Sequence, residues 1–135
     1  MNLKNPEGVD ALKRLLKTAD VMVQNFRPGA IERMGFGEDV VRCLKEDIIF
    51  VSISGFGKEG PYSGKRVYDP VIQAVSGLTS IQADENDRPR MMRLIIPDKV
   101  TAITSAQAIS TALFARERSG NGSHIQLSML DSVLQ

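Results

Sequence analysis

Two runs of apolar, β-favouring residues, Val21-Met22-Val23 and Ile48-Ile49-Phe50-Val51-Ser52-Ile53, are separated by sequence with helical signals, and a third, alternating run spans His124 to Leu130. That order constrains the fold more than any other feature. Strands joined through helices rather than tight hairpins pair in parallel, and a parallel sheet needs cover on both faces. The expectation is an α/β fold, a parallel sheet with flanking helices, with residues 1–135 forming a single domain.

The helical signals lie between these runs. Asn5 suits an N-cap with Pro6 at the first helical position, followed by an inward stripe of Leu12, Leu15, Leu16 and Ala19. Glu38 to Lys45 reads as a short helix with Val40, Val41 and Leu44 inward and Cys43 as a small apolar filler. Residues 54–66 hold four glycines and a proline and read as loop; Asp69 to Val75 reads as a brief helix ended by Gly77. Residues 82–93 are polar, an exposed excursion. A long helix is predicted from Asp98 to about Arg118, with Ala102, Ile103, Ala106, Ile109, Ala112, Leu113 and Ala115 as its apolar face and Gly120 as its stop; Asp131 begins another.

Composition narrows the function classes. Lys+Arg 17 against Asp+Glu 16 leaves +1, a balance with no global field for nucleic acid or a membrane surface. A single cysteine permits no intrachain disulfide and fits a reducing cytoplasm. No apolar run approaches the roughly 20 residues of a membrane span, and Met1-Asn2-Leu3-Lys4-Asn5-Pro6 lacks a signal-peptide core, so a soluble protein is expected.

The chemistry concentrates where the first strand ends. Asn25-Phe26-Arg27-Pro28-Gly29 opens into a helical stretch carrying Ala30 and Arg33, and a strand tip opening into a helix is where α/β proteins place ligands. An amide, an aromatic ring, guanidinium groups and free helix-start N–H groups suit a phosphate or carboxylate. An ordinary Pro-Gly turn with solvated arginines accounts for the same residues equally well. Gly55-Phe56-Gly57-Lys58-Glu59-Gly60 fits a dinucleotide fingerprint in letters only: Pro61, Ser63 and Gly64 prevent the helix that must follow.

Asp98, after Pro97, heads the long helix, where aspartate commonly caps; a nucleophilic carboxylate would be oriented by the helix dipole at the same place. Asp69, beside Tyr68, sits where the glycine-rich loop meets the next helix and could also be only a cap. His124, on an alternating strand, reads as a packed or solvated side chain. No Ser/His/acid set suggests a triad, and no His/Cys/carboxylate cluster suggests a metal.

Taken in order, Asp20 to Gly29, Arg33-Met34-Gly35-Phe36, Ser52 to Gly57, Gly60-Pro61-Tyr62, Tyr68-Asp69, Gln73-Ala74, Ser76-Gly77, Pro97-Asp98, and Ala112-Leu113 through Arg116 and Gly120-Asn121-Gly122 to Ser128-Met129 resemble the class III coenzyme A-transferase family. This family includes formyl-CoA and carnitine CoA-transferases and alpha-methylacyl-CoA racemase. The resemblance implies a partial Rossmann-like sheet, the central part of the family's large domain, and coenzyme A as substrate, without a metal. It places the catalytic aspartate on Asp98, with Tyr68 and Asp69 near the reacting centre. Asn25, Phe26, Ala30 and Arg33 match positions lining the CoA site, Arg66 matches a basic position near the nucleotide phosphates, and Arg27 shares the loop at a variable position. The racemase branch carries a histidine where this chain has Tyr68, so CoA transfer is the expected chemistry rather than proton abstraction.

Family members are longer. A strand-helix-strand segment precedes the part matching Leu3, and a second domain with a glycine-rich loop follows the part matching Gln135, so the expectation is a truncated domain, weak or inactive alone, that covers its exposed surface by homodimerisation. A non-catalytic CoA-binding or interaction module, a structural remnant, and a small acyl-CoA hydrolase using Asp98 are the alternatives.

Overall fold

The computed structural model describes residues 1–135. Three parallel strands, β1 (Val21–Gln24), β2 (Ile49–Ser54) and β3 (Ser123–Ser128), lie in the order β1-β2-β3. Val21 pairs with Ile49 and Ile49 with Ser123, and the ladders run on until Gln24, Ser52 and Gln126 stand side by side. Helices α1 (Pro6–Leu16), α2 (Ala30–Arg33) and α3 (Glu38–Leu44) precede β2; α4 (Asp69–Val75), α5 (Leu78–Ile81) and α6 (Ile96–Ser119) precede β3; α7 (Met129–Leu134) follows it. The expected α/β architecture is therefore present. No helix is long and apolar enough to cross a membrane.

The pleat divides the buried residues 48–51, entering and along β2, between two faces. Ile48 and Phe50 join Leu16, Ile31, Phe36 and Val41 in one core under α1 and α3. Ile49 and Val51, also fully buried, belong to the other face, against which α6 packs. In α1, Asn5 caps as expected, accepting the Glu7 N–H at 3.1 Å. Leu15, expected inward, is 56% exposed. Val9, Leu12 and Leu16 share a narrow arc of α1, and Leu15 falls about 60° outside it. In α3 Val41 is buried and Leu44 packs against the same core, as expected; Val40 and Cys43 are exposed, against expectation, because they sit on the turn's outer side.

The largest departure concerns α6. Its buried stripe is Pro97, Thr101 and Ser105, spaced four apart, whereas Ala102, Ile103, Ala106 and Ala115 are exposed, and Ile103 keeps 70% of its accessible surface. Each buried hydroxyl is satisfied within the helix: Thr101 Oγ1 donates to the Pro97 carbonyl and Ser105 Oγ to the Thr101 carbonyl, both at 2.7 Å. A small side chain that satisfies its own polar group lets a helix lie close to a sheet without a desolvation cost. Ile109, Ala112 and Leu113 are half-buried as the helix continues. Gly120, at φ 74°, ends it as expected.

At the end of the sheet where the strands begin, Arg116 of α6 reaches Asp20 at 2.9 Å and Asp47 at 3.7 Å, and Lys45 reaches Asp20 at 3.5 Å. The Arg116 hydrogen bond, with Lys45 beside it, holds the Asp20 carboxyl below its ordinary range. A depressed folded-state value means stability that is present above the unfolded carboxylate range and lost as pH falls through the folded value. Asp20→Asn is therefore expected to give a shallower loss of melting temperature between about pH 5 and about pH 3 than the parent chain, read by thermal melts.

Candidate active site

All three strands point their C-terminal ends at one edge of the molecule, and the loops there form two clefts on opposite faces of the sheet. The β1 loop is the partition between them: Phe26, Arg27 and Pro28 line both. Its shape is set locally. Gln24 Oε1 accepts the Phe26 N–H at 3.0 Å, the Arg27 carbonyl accepts the Ala30 N–H at 2.9 Å, and Gly29 takes φ 76° to start α2. A side chain at Gly29 would lie 2.9 Å from Arg33 Nη1, so Arg33 folds back over this turn. After β2 the chain makes turns and no helix before Asp69, which leaves the glycine pattern at 55–60 without the helix a pyrophosphate site requires. Gly55 has a different use: a Cβ there would collide with Val67, so the 65–69 segment packs directly on the strand end.

The cleft on the α6 face has a volume of about 580 Å³. Asn25, Phe26, Arg27, Arg66, Tyr68, Asp69 and Asp98 line it together. Ala30 and Arg33 line neither cleft; they stand behind the loop, on the first turn of α2. Lys65 adds a second cation beside Arg66.

The two aspartates divide the roles that the sequence left open at each of them. Asp98 is the third residue of α6, inside its first turn, and its side chain makes no capping hydrogen bond. The carboxylate that serves the start of α6 is that of Asp69: its Oδ2 accepts the Asp98 N–H at 3.1 Å. Asp69 is only 5% exposed, and its Oδ1 accepts from Gln73 Nε2 at 2.6 Å. The Asp98 carboxyl is pushed above its ordinary range, first by desolvation and then by the negative charge of Asp69. A carboxylate of raised basicity that is not consumed by a cap is a better nucleophile than one held by hydrogen bonds.

Gln73 was missed as a structural centre. It is 2% exposed, donates from Nε2 to the Leu94 carbonyl at 3.1 Å as well as to Asp69, and accepts the Met92 N–H at 2.8 Å on Oε1. One amide thus fixes Asp69 and ties down the strand of chain that enters α6. The available signal was a lone amide within the otherwise apolar Val71-Ile72-Gln73-Ala74-Val75.

Comparison with known proteins gives the site its context. The profile of CoA-transferase family III matches residues 1–135, the whole chain. The chain belongs to this family. Among the family's curated members, the chain is 38% identical over 130 residues to the succinate–glutarate CoA-transferase of Agrobacterium fabrum, covering 96% of this chain and 32% of that protein. It is 39% identical over 134 residues to a formyl-CoA:oxalate CoA-transferase of Afipia carboxidovorans, covering 99% of this chain and 31% of that one. The crystal structure of a CAIB/BAIF family protein from Brucella suis superposes with a TM-score of 0.94 at 30% identity, over 98% of this chain and 35% of that one. The chain therefore spans about a third of the length of these family III relatives.

Proposed function

We propose that the α6-face cleft binds coenzyme A thioesters and that Asp98 exchanges CoA between an acyl-CoA and a carboxylic acid. The observation that carries this reading is the uncapped Asp98 carboxylate in one cleft with Asn25, Phe26, Arg27 and Arg66. An Asp98 oxygen attacks the thioester carbonyl; the C–S bond breaks and CoA leaves as thiolate, giving a mixed anhydride. The thiolate attacks the Asp98 carbonyl, releasing the donor acid and leaving an aspartyl-CoA thioester. The acceptor carboxylate attacks that thioester in turn, and the returning thiolate takes the acceptor acyl group and frees Asp98. Lys65 and Arg66 supply cationic partners for the nucleotide phosphates, and Tyr68 and Asp69 border the reacting carboxyl.

The cleft is open, and Tyr68 keeps 71% of its surface in solvent. An anhydride exposed to water hydrolyses, so the chain alone turns over slowly, and acyl-CoA hydrolysis through Asp98 is the second reading that this openness favours. The exposed apolar residues of α6, Ile103 and Phe114, and the unpaired outer edges of β1 and β3 are the surfaces a homodimer would cover, a state that analytical ultracentrifugation reads directly. The exposed free Cys43 fits a reducing, cytoplasmic setting.

Intact-mass and peptide-mapping mass spectrometry after incubation with a short acyl-CoA, with a thiol assay for free CoA, test the chemistry. A CoA or acyl adduct on the peptide bearing Asp98 supports exchange. Free CoA without an acceptor dependence supports hydrolysis. Binding without either leaves a CoA-binding module, and a wild-type adduct on any other residue rejects the assignment of Asp98.

A further inference from the structure

The second cleft, about 480 Å³ on the α2/α3 face, contains a hydrogen-bonded chain that the CoA reading does not use. Ser52 Oγ lies 2.9 Å from His124 Nε2, and His124 Nδ1 contacts Glu38 Oε2. The three residues come from β2, β3 and the first turn of α3, and Ser52 and His124 both line the cleft. Their protonation follows from the partners. An ionised Glu38 only accepts, so the ring nitrogen facing it, Nδ1, is the one that carries a proton, and in the neutral tautomer this leaves the Nε2 lone pair facing the Ser52 hydroxyl. The imidazole is held on its other sides too: Phe50 meets it edge-on with ring centroids 5.1 Å apart, and Arg42 Nε binds the opposite oxygen of Glu38 at 2.9 Å. Burial pushes the Glu38 carboxyl up, but the Arg42 hydrogen bond and the lesser contacts beside it outweigh that and leave it below its ordinary range.

A serine paired to the free nitrogen of an imidazole whose other nitrogen is fixed by a carboxylate is the arrangement that activates a hydroxyl nucleophile. Two side-chain amides flank it, and that of Gln126 lies 3.4 Å from His124 Nδ1. Gln24 and Gln126 are the register partners of Ser52 on either side, so their side chains share its sheet face. The Gln24 carbonyl is committed to the Phe26 N–H, which leaves its NH₂ free.

We propose that this cleft is a reactive-serine site for small activated carboxylic esters, with Ser52 as nucleophile, His124 as its base and Glu38 positioning the imidazole. Ser52 Oγ bonds to the ester carbonyl carbon while its proton passes to His124 Nε2. The C–O bond to the leaving group breaks, and His124 returns that proton to the departing oxygen. Water then attacks the seryl ester, giving a proton to His124 that goes back to Ser52 Oγ as the carboxylic acid leaves. No other reactant is needed, and the step is independent of the CoA proposal because it is measured without CoA.

The test is labelling of the full chain with a fluorophosphonate probe, mapped by peptide mass spectrometry, beside 4-nitrophenyl acetate hydrolysis. The expected adduct is on Ser52, and Ser52→Ala and His124→Gln should each lower hydrolysis at least about 100-fold while retaining the parent's circular dichroism. Glu38→Gln, which keeps an acceptor for Nδ1–H but removes the charge, should lower kcat at least about 100-fold with KM unchanged. An unlabelled wild-type chain, a label elsewhere, or undiminished hydrolysis in a folded Ser52→Ala chain would overturn the proposal. The wild-type label reports directly even where a variant fails to fold. A Glu38→Gln effect confined to KM or to the melt would remove the role given to Glu38.

Discussion

Replacing Gln73 with leucine is expected to destabilise the chain by about 3 kcal/mol or more, a fall of about 10 °C in melting temperature. Leucine matches the shape closely, so the loss is not one of packing. It strips a hydrogen bond from the buried Asp69 carboxylate and leaves the Leu94 carbonyl and the Met92 N–H without partners. The largest cost falls on the buried Asp69 carboxylate, left with only the Asp98 N–H, and the part-buried main-chain groups at 92 and 94 add to it. The damage also travels to the site, because Asp69 holds the Asp98 N–H and the 92–94 segment feeds α6. Gln73→Glu separates charge from shape. Two facing carboxylates cannot both ionise cheaply, so one is raised, and this variant should gain stability as pH falls through that raised value. Denaturant titrations at neutral and mildly acidic pH measure both effects.

Asp98→Asn is expected to abolish covalent adduct formation from acyl-CoA, a loss of at least about 1,000-fold, without loss of stability. The amide has the shape of the carboxylate but cannot attack a thioester. The stability side follows from the direction of the Asp98 shift. Its folded-state value lies above the unfolded one, so the folded chain binds the proton more tightly and carries a penalty whenever Asp98 is ionised. The variant should therefore match or slightly exceed the parent at neutral pH, by no more than about 0.5 kcal/mol once solvent screening of this exposed group is allowed for. The two curves should converge as pH falls below the ordinary aspartate range. Adduct mass and thermal melts, taken on the same samples, separate loss of chemistry from loss of fold. A residue whose removal costs chemistry but no stability is held for function.

The sheet was legible because its strands carry their own signal: the apolar run at Ile48 to Val51 is buried throughout, and the helices on either side dictate parallel pairing. Gly120 and the Asn5-Pro6 start were legible for the same local reason. The inward face of α6 was not. That helix is nearly uniform in polarity round its axis, and Thr101 and Ser105 become core residues only because their hydroxyls turn back on their own helix. The division of labour between Asp69 and Asp98 was equally hidden, since either can cap a helix and only the tertiary approach of α4 to α6 decides. Glu38, Ser52 and His124 lie far apart in sequence, and nothing local marks them as one chain of hydrogen bonds. The loop at Asn25 to Gly29 was readable as a ligand loop, but not as a wall shared by two clefts on opposite faces of the sheet.

The central claim is that the α6-face cleft is a coenzyme A site, and a calorimetric titration of this chain with coenzyme A tests it most directly. Saturable heat at or below millimolar CoA, weakened about tenfold in Arg66→Ala, is the predicted result. No heat from the folded wild-type chain at millimolar CoA, or affinity unchanged by Arg66→Ala, would contradict it.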